Sequence, residues 1–176
     1  MAVDIFQDKI RKHKNPSVVE LGLSISDLPA HIIESEGCGA AAYGRFSQEL
    51  LEGLKGIVPA VRISFSSFAV LGADGLAVLE NILKYAGDQG YYVILDAPEI
   101  LSPSSAKIIA DALLGEQARF FCDALVISGY LGSDIIKPFL PYCKNQKKDI
   151  FVVARTANKS ASELQDLLSG SRGGSR

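Results

Sequence analysis

The chain has 176 residues, 48% of them hydrophobic and 22% charged, the ordinary mix of a globular α/β domain long enough to bury one sizeable core. Its formal net charge of −2 gives no electrostatic case for nucleic acid or an anionic membrane, and no run approaches the ~18 apolar residues of a membrane span. Residues 3–14 predict an entry helix, its basic end Arg11-Lys12-His13-Lys14 suiting a helix C-terminus that Asn15-Pro16 then stops. A strand over 17–23 follows, then a turn at Leu28-Pro29. Ala40 to Leu54 reads as a helix, with Tyr43, Phe46, Leu50, Leu51 and Leu54 near the helical period. A strand is expected over 57–63, a helix over 75–86 closed by Gly87 and Gly90, and a strand over 91–96. Ser104 or Ser105 is the expected N-cap of a helix that runs to Leu114. A strand over 123–128, a helix over about 134–144, a strand over 149–155 and a short helix near 160–168 complete the order. This alternation is the signature of helices packed around a parallel sheet, and the continuous apolar strand runs suit strands covered on both faces. It does not distinguish a closed barrel from an open sheet.

Cys38, Cys122 and Cys143 are widely spaced, form no C-x-x-C pair and are joined by neither His13 nor His31 in a metal-ligand spacing. They suggest buried thiols rather than a disulfide framework or a zinc site. With no apolar h-region at the N-terminus, the expected location is the cytoplasm.

Five segments, in order, carry a family resemblance. Asn15-Pro16-Ser17-Val18-Val19, Ile57-Val58-Pro59-Ala60-Val61 and Val93-Ile94-Leu95-Asp96-Ala97 look like the first three strands of the orotidine 5′-phosphate decarboxylase family, in its longer-chain bacterial form. Tyr130-Leu131-Gly132-Ser133-Asp134 with Lys137-Pro138-Phe139 is similar to that family's Y-L-G-S-D-x-x-K-P-F, and Phe151 to Asn158 resembles its F-V-L-V-R-T-S-N strand. The resemblance covers nearly the whole chain. It implies a barrel of eight strands and helices with chemistry at the C-terminal strand ends, a fold that usually needs about 250 residues. The matches stop after the fifth strand. The expectation is therefore an α/β chain forming an incomplete TIM-type (β/α) barrel, C-terminally truncated, with about five parallel strands of the usual eight and flanking helices over residues 1–168. Residues 169–176 read as a flexible Gly/Ser/Arg tail, since a phosphate cradle there would need a preceding strand and a following helix.

The same resemblance implies that the chemistry has been removed. The family's third strand ends in a pattern like D-A-K-R-G-D-I-G-N-T, which aligns without a gap to the run from Asp96 to Ser105. Asp96 is retained, but Pro98 stands where the proton-donating lysine would be and Leu101 where a second aspartate would be. The family's first-strand G-L-D becomes Glu20-Leu21-Gly22, and its second-strand lysine becomes Arg62, which keeps the charge without the geometry of an ammonium. Ser128-Gly129 replace an asparagine-proline pair. A reaction that leaves a ring carbanion with no cofactor to delocalise it depends on preorganised charge and a positioned acid.

What the resemblance implies for the site is Asp96 and Arg62 as the catalytic remnants and Ser105, Ser128, Thr156 and Asn158 as substrate contacts, with no metal and no cofactor. Two bland alternatives stand beside it: Asp96 as a cap on the following segment, and Arg62 as a member of a surface ion pair. The implied ligand is orotidine or uridine 5′-monophosphate. The expected assembly is a homodimer, or a heterodimer with an active homologue. A decarboxylase, a non-catalytic binding or regulatory relative, and a truncated relic remain open, with decarboxylation expected to be lost or severely impaired.

Overall fold

The computed structural model describes residues 2–22, 24–37, 39–97 and 100–167. Cys38, Pro98, Glu99 and the expected tail over 169–176 lie outside the described residues. Helix α1 (Ala2–His13) leads into strand β1 (Val18–Leu21), and α2 (Ala30–Glu36) and α3 (Ala40–Leu54) cross to β2 (Ala60–Ser64). Then α4 (Phe65–Ala69) and α5 (Gly72–Asp88) lead to β3 (Tyr92–Asp96), and α6 (Pro103–Leu114) leads to β4 (Ala124–Ser128). The short α7 (Ser133–Ile136) and α8 (Leu140–Asn145) precede β5 (Asp149–Val153).

All four strand pairings are parallel and the sheet order is β1-β2-β3-β4-β5. Sequential order has a consequence. Right-handed crossovers, the near-universal hand, place every intervening helix on the same face of such a sheet, so its other face becomes the inside of a barrel. The core divides accordingly. Outward residues such as Leu21, Val61, Ile63, Val93, Leu95, Leu125 and Ile127 join the helices in one large cluster. Ala60, Tyr92, Ile94 and Ala124 form a separate cluster on the inner face, with Phe6, Val126 and Phe151 packed against it. Phe6 of α1 stacks on Tyr92 with ring centroids 4.8 Å apart, so the entry helix covers the base of that inner face. The fold is an incomplete TIM-type (β/α) barrel of five parallel strands.

Several expectations are corrected. The strands are not uniformly covered on both faces: β2 and β3 are largely buried, whereas β1 and β5 stand at the edges and Val18, Val152 and Val153 are exposed. β2 begins at Ala60 rather than residue 57, because the N–H groups of Ile57 and Val58 turn back to the Leu54 carbonyl and Pro59 has no N–H to add to a ladder. α6 is capped by Ser102, whose side chain accepts from the Ser105 N–H, with Pro103 at the first helical position; neither Ser104 nor Ser105 is the cap. The helix expected over 134–144 is split into α7, a 3-10 turn over Lys137–Phe139 and α8, with Pro138 and Pro141 removing N–H groups where an uninterrupted helix would need them. The terminal helix is a 3-10 turn over Lys159–Glu163.

Two helices were not anticipated. α2 buries only Ile32, too little to leave a periodic signal. α4 follows β2 without a linker, started by Ser64, whose hydroxyl accepts from the Ser67 N–H. α5 starts three residues before its expected first residue and lies so close to α4 that a Cβ on Gly75 would fall 2.0 Å from the Phe68 carbonyl oxygen.

Candidate functional site

Because inner-face residues alternate with outer ones, the last inner residue of each strand is presented at the C-terminal rim. β2 ends on Ser64, β3 on Asp96 and β4 on Ser128. Arg62 sits one inner position below Ser64, beside Glu20 of β1 in the strand register. Its Nη2 donates to Asp96 Oδ2 at 2.6 Å, and its Nη1 reaches Glu20 Oε2 at 3.4 Å. Three adjacent strands are thereby tied by one guanidinium. Asp96 accepts from Arg62, and Arg62 is in an ion pair, one that lies on the inner face of the sheet. The Arg62 and Asp96 side chains are 36% and 31% exposed, so the pair belongs to the half-buried class whose net contribution is on the order of 1 kcal/mol. The Arg62 Nε is buried with no hydrogen-bond partner among the described residues.

A cleft of about 340 Å³ opens above this pair, and Asp96, Ser128 and Thr156 face it together with Ser66. A neighbouring hollow of about 520 Å³ along the inner face shares Thr156 and is lined by Arg62 and Arg155. The structure thus brings together Asp96, Arg62, Ser128 and Thr156. Ser128 Oγ accepts from the Tyr130 N–H, which shapes the turn after β4. Thr156 Oγ1 donates to Asn158 Oδ1 at 2.5 Å and accepts from Gln165 Nε2 at 2.7 Å, while Gln165 Oε1 accepts from the Thr156 N–H. Asn158 is therefore held against the cleft through Thr156. Ser105 is used elsewhere: on the first turn of α6, its hydroxyl and its N–H both meet Ser102 Oγ, and it lines neither hollow.

Sequence reasoning missed the clasp beyond β5. Arg155 forms a two-pronged pair with Asp166, both contacts 2.9 Å, which folds the segment after the strand back on itself. The same pairing holds the Asp166 carboxyl below the usual range. Nothing in the local pattern signals it, because its partners are eleven residues apart on irregular backbone. Glu20 was also passed over, although the two-residue period of β1 puts it on the face that Arg62 uses.

Chemically, the cleft offers acceptors, hydroxyls and two guanidinium groups. Among the described residues that line it, none is a lysine or histidine, and an arginine is too firmly protonated to serve as a general acid. Leu101, expected where the family has an aspartate, is 79% exposed. The described residues contain no group of three or more His, Cys, Asp or Glu that could hold a metal ion, and no helix among them is long and apolar enough to cross a membrane.

Comparison with known proteins gives the same family from sequence and from structure. The chain is 36% identical to the orotidine 5′-phosphate decarboxylase of Rhodopirellula baltica over 132 residues, covering 73% of this chain and 44% of that protein. It is 27% identical to the Clostridium kluyveri enzyme of the same name over 165 residues, covering 94% and 56%. The solved Leishmania donovani OMP decarboxylase superimposes with a TM-score of 0.72 at 26% identity, over 97% of this chain and 60% of that one. The Leishmania donovani UMP synthase does so with a TM-score of 0.77 at 25% identity, over 97% and 33%. No protein-family model matches the chain. The chain spans about half the length of the curated relatives it matches. On matching sequence along most of its length and a matching arrangement of strands and helices, the chain belongs to the orotidine 5′-phosphate decarboxylase family.

Proposed function

We propose that this protein is a pyrimidine-nucleotide-binding member of its family in which decarboxylation has been lost or severely impaired. The observation that carries the reading is the composition of the cleft rim. Hydrogen-bonding groups that suit a nucleotide are present (Asp96, Arg62, Ser128, Thr156 and, behind it, Asn158), while among the described residues of the lining there is no lysine or histidine to deliver a proton. In the sequence, Pro98 and Leu101 occupy the positions that match the family's lysine and second aspartate. Losing one preorganised donor typically lowers a rate by roughly a hundred- to a thousandfold, and here a donor and a carboxylate are replaced together.

The ligand of this reading is uridine or orotidine 5′-monophosphate, and the setting is pyrimidine nucleotide metabolism in the cytoplasm. The partner is a second copy or an active homologue, supported by the edges of β1 and β5, which have no further strand beside them among the described residues, and by exposed Val18 and Val153 beside the inner face. The reading covers residues 1–168.

Two measurements test it on the purified chain. The loss of orotidine 5′-monophosphate absorbance is expected to run at least about a thousandfold below that of a full-length relative. A melt with uridine 5′-monophosphate is expected to rise with ligand concentration, as binding to the native state alone requires. Turnover within about tenfold of the relative would overturn the loss of catalysis, and a melting temperature unmoved at millimolar nucleotide would overturn the binding.

A further inference from the structure

The family's first strand ends G-L-D where this chain has Glu20-Leu21-Gly22, so carboxylate and glycine stand in exchanged order. The two positions lie on the same side of an extended chain, one pleat apart. In the structure, a Cβ built on Gly22 would fall 3.0 Å from Glu20 Oε1, 3.4 Å from Glu20 Cγ and 3.5 Å from the Ser64 Cβ. The Glu20 side chain therefore fills the volume that a side chain at 22 would enter. Its other carboxylate oxygen faces Arg62 Nη1 at 3.4 Å, opposite the 2.6 Å contact with Asp96.

We propose that Glu20 is the positioning residue of this site: reaching up from one pleat below, it takes the place of the side chain absent at Gly22 and holds the Arg62 guanidinium against Asp96. Three features support this. Glutamate has one methylene more than aspartate, which suits a reach from a lower pleat. A Cβ at 22 would crowd the carboxylate, which would have to give by a few tenths of an ångström, so the glycine leaves Glu20 its present place. Among the described residues the Arg62 Nε is buried without a partner, so the guanidinium is oriented by its two terminal nitrogens, which meet Glu20 and Asp96. A carboxylate described by sequence matching as lost from the first strand is instead displaced along it.

The inference deepens the binding reading, since Arg62 belongs to that site, but its test needs no nucleotide, so the two can fail separately. A guanidinium fixed by two carboxylates gives a sharp, slowly exchanging Arg62 Nε–H resonance in proton–nitrogen spectra of the full chain near neutral pH. Glu20→Gln is expected to broaden or abolish it, and the exchange Glu20→Gly with Gly22→Asp to restore it. Should Glu20→Gln not fold, Gly22→Ala carries the same test. It is expected to perturb the Arg62 resonance and lower the melting temperature in the native background, and to leave the melting temperature unchanged in the Glu20→Ala background, the non-additivity of residues that share one space. An Arg62 resonance indifferent to Glu20→Gln, or a Gly22→Ala effect of equal size in both backgrounds, would overturn the assignment.

Discussion

Burial and charge act on individual side chains at the base of the barrel as clearly as at its rim. Asp123 Oδ2 accepts from the Val93 N–H at 2.8 Å, and Tyr92 donates to Asp149 at 2.6 Å close by. Burial pushes the Asp123 carboxyl above its ordinary value, a shift that the Val93 hydrogen bond and the neighbouring Lys148 and Lys9 only partly oppose. The folded chain thus keeps this proton through a window just above the ordinary carboxyl range where the unfolded chain has released it. By linkage, the Asp123 contribution to stability falls as pH rises through that window. Asp123→Asn keeps an acceptor for Val93 and removes the charge, so its stability relative to the native chain is expected to improve as the pH is raised from 4 to 7 in urea unfolding. An equal offset at every pH would refute the assignment. Burial likewise pushes the Cys122 thiol up to about 12, which leaves it inert; the expected buried thiol is found there, while Cys143 is half-buried.

Among the elements, caps and close approaches are the weak points. α6 begins on one hydroxyl, Ser102, followed by Pro103. Ser102→Ala is expected to cost about 1 kcal/mol, measured as a shift in the denaturant midpoint at constant slope. The α4–α5 corner is less forgiving. A methyl on Gly75 would meet the Phe68 carbonyl, which is backbone and cannot rotate away, so Gly75→Ala is expected to destabilise by about 2 kcal/mol or more despite the better helix propensity of alanine. A neutral or stabilising Gly75→Ala would mean that the two helices are not locked in this approach. These boundaries also show why the element reading was uneven. Long segments with a buried stripe, such as α3 and α5, were legible because periodicity is carried by many residues. α2, α4 and the broken segment around Pro138 have too few residues for a period and are decided by what they pack against.

At the scale of the molecule, among the described residues the five-stranded sheet has no strand beside β1 or β5, and part of its inner face is bare. Unpaired edges with apolar neighbours favour association. The chain is expected either to associate through this side or to be only marginally stable. Sedimentation should show a concentration-dependent species larger than the monomer, and Val153→Lys, which places a charge on the exposed end of the β5 edge, should reduce it. A monodisperse and highly stable monomer would sink both halves of that expectation.

The sequence by itself determined the family and the order of the strands, because each is written in contiguous residues: apolar runs, the Tyr130 to Asp134 loop and the other matched strand segments. It also named Arg62, Ser128, Thr156 and Asn158, since those lie at strand ends or in matched motifs. Only the tertiary structure decided what these side chains do. Arg62 meets Asp96 across 34 residues and Glu20 across 42, Ser105 turns to its own helix cap, and Arg155 finds Asp166 from irregular backbone. Such contacts depend on the register between strands and on the space a missing side chain leaves, as at Gly22, and neither quantity exists until the chain has folded.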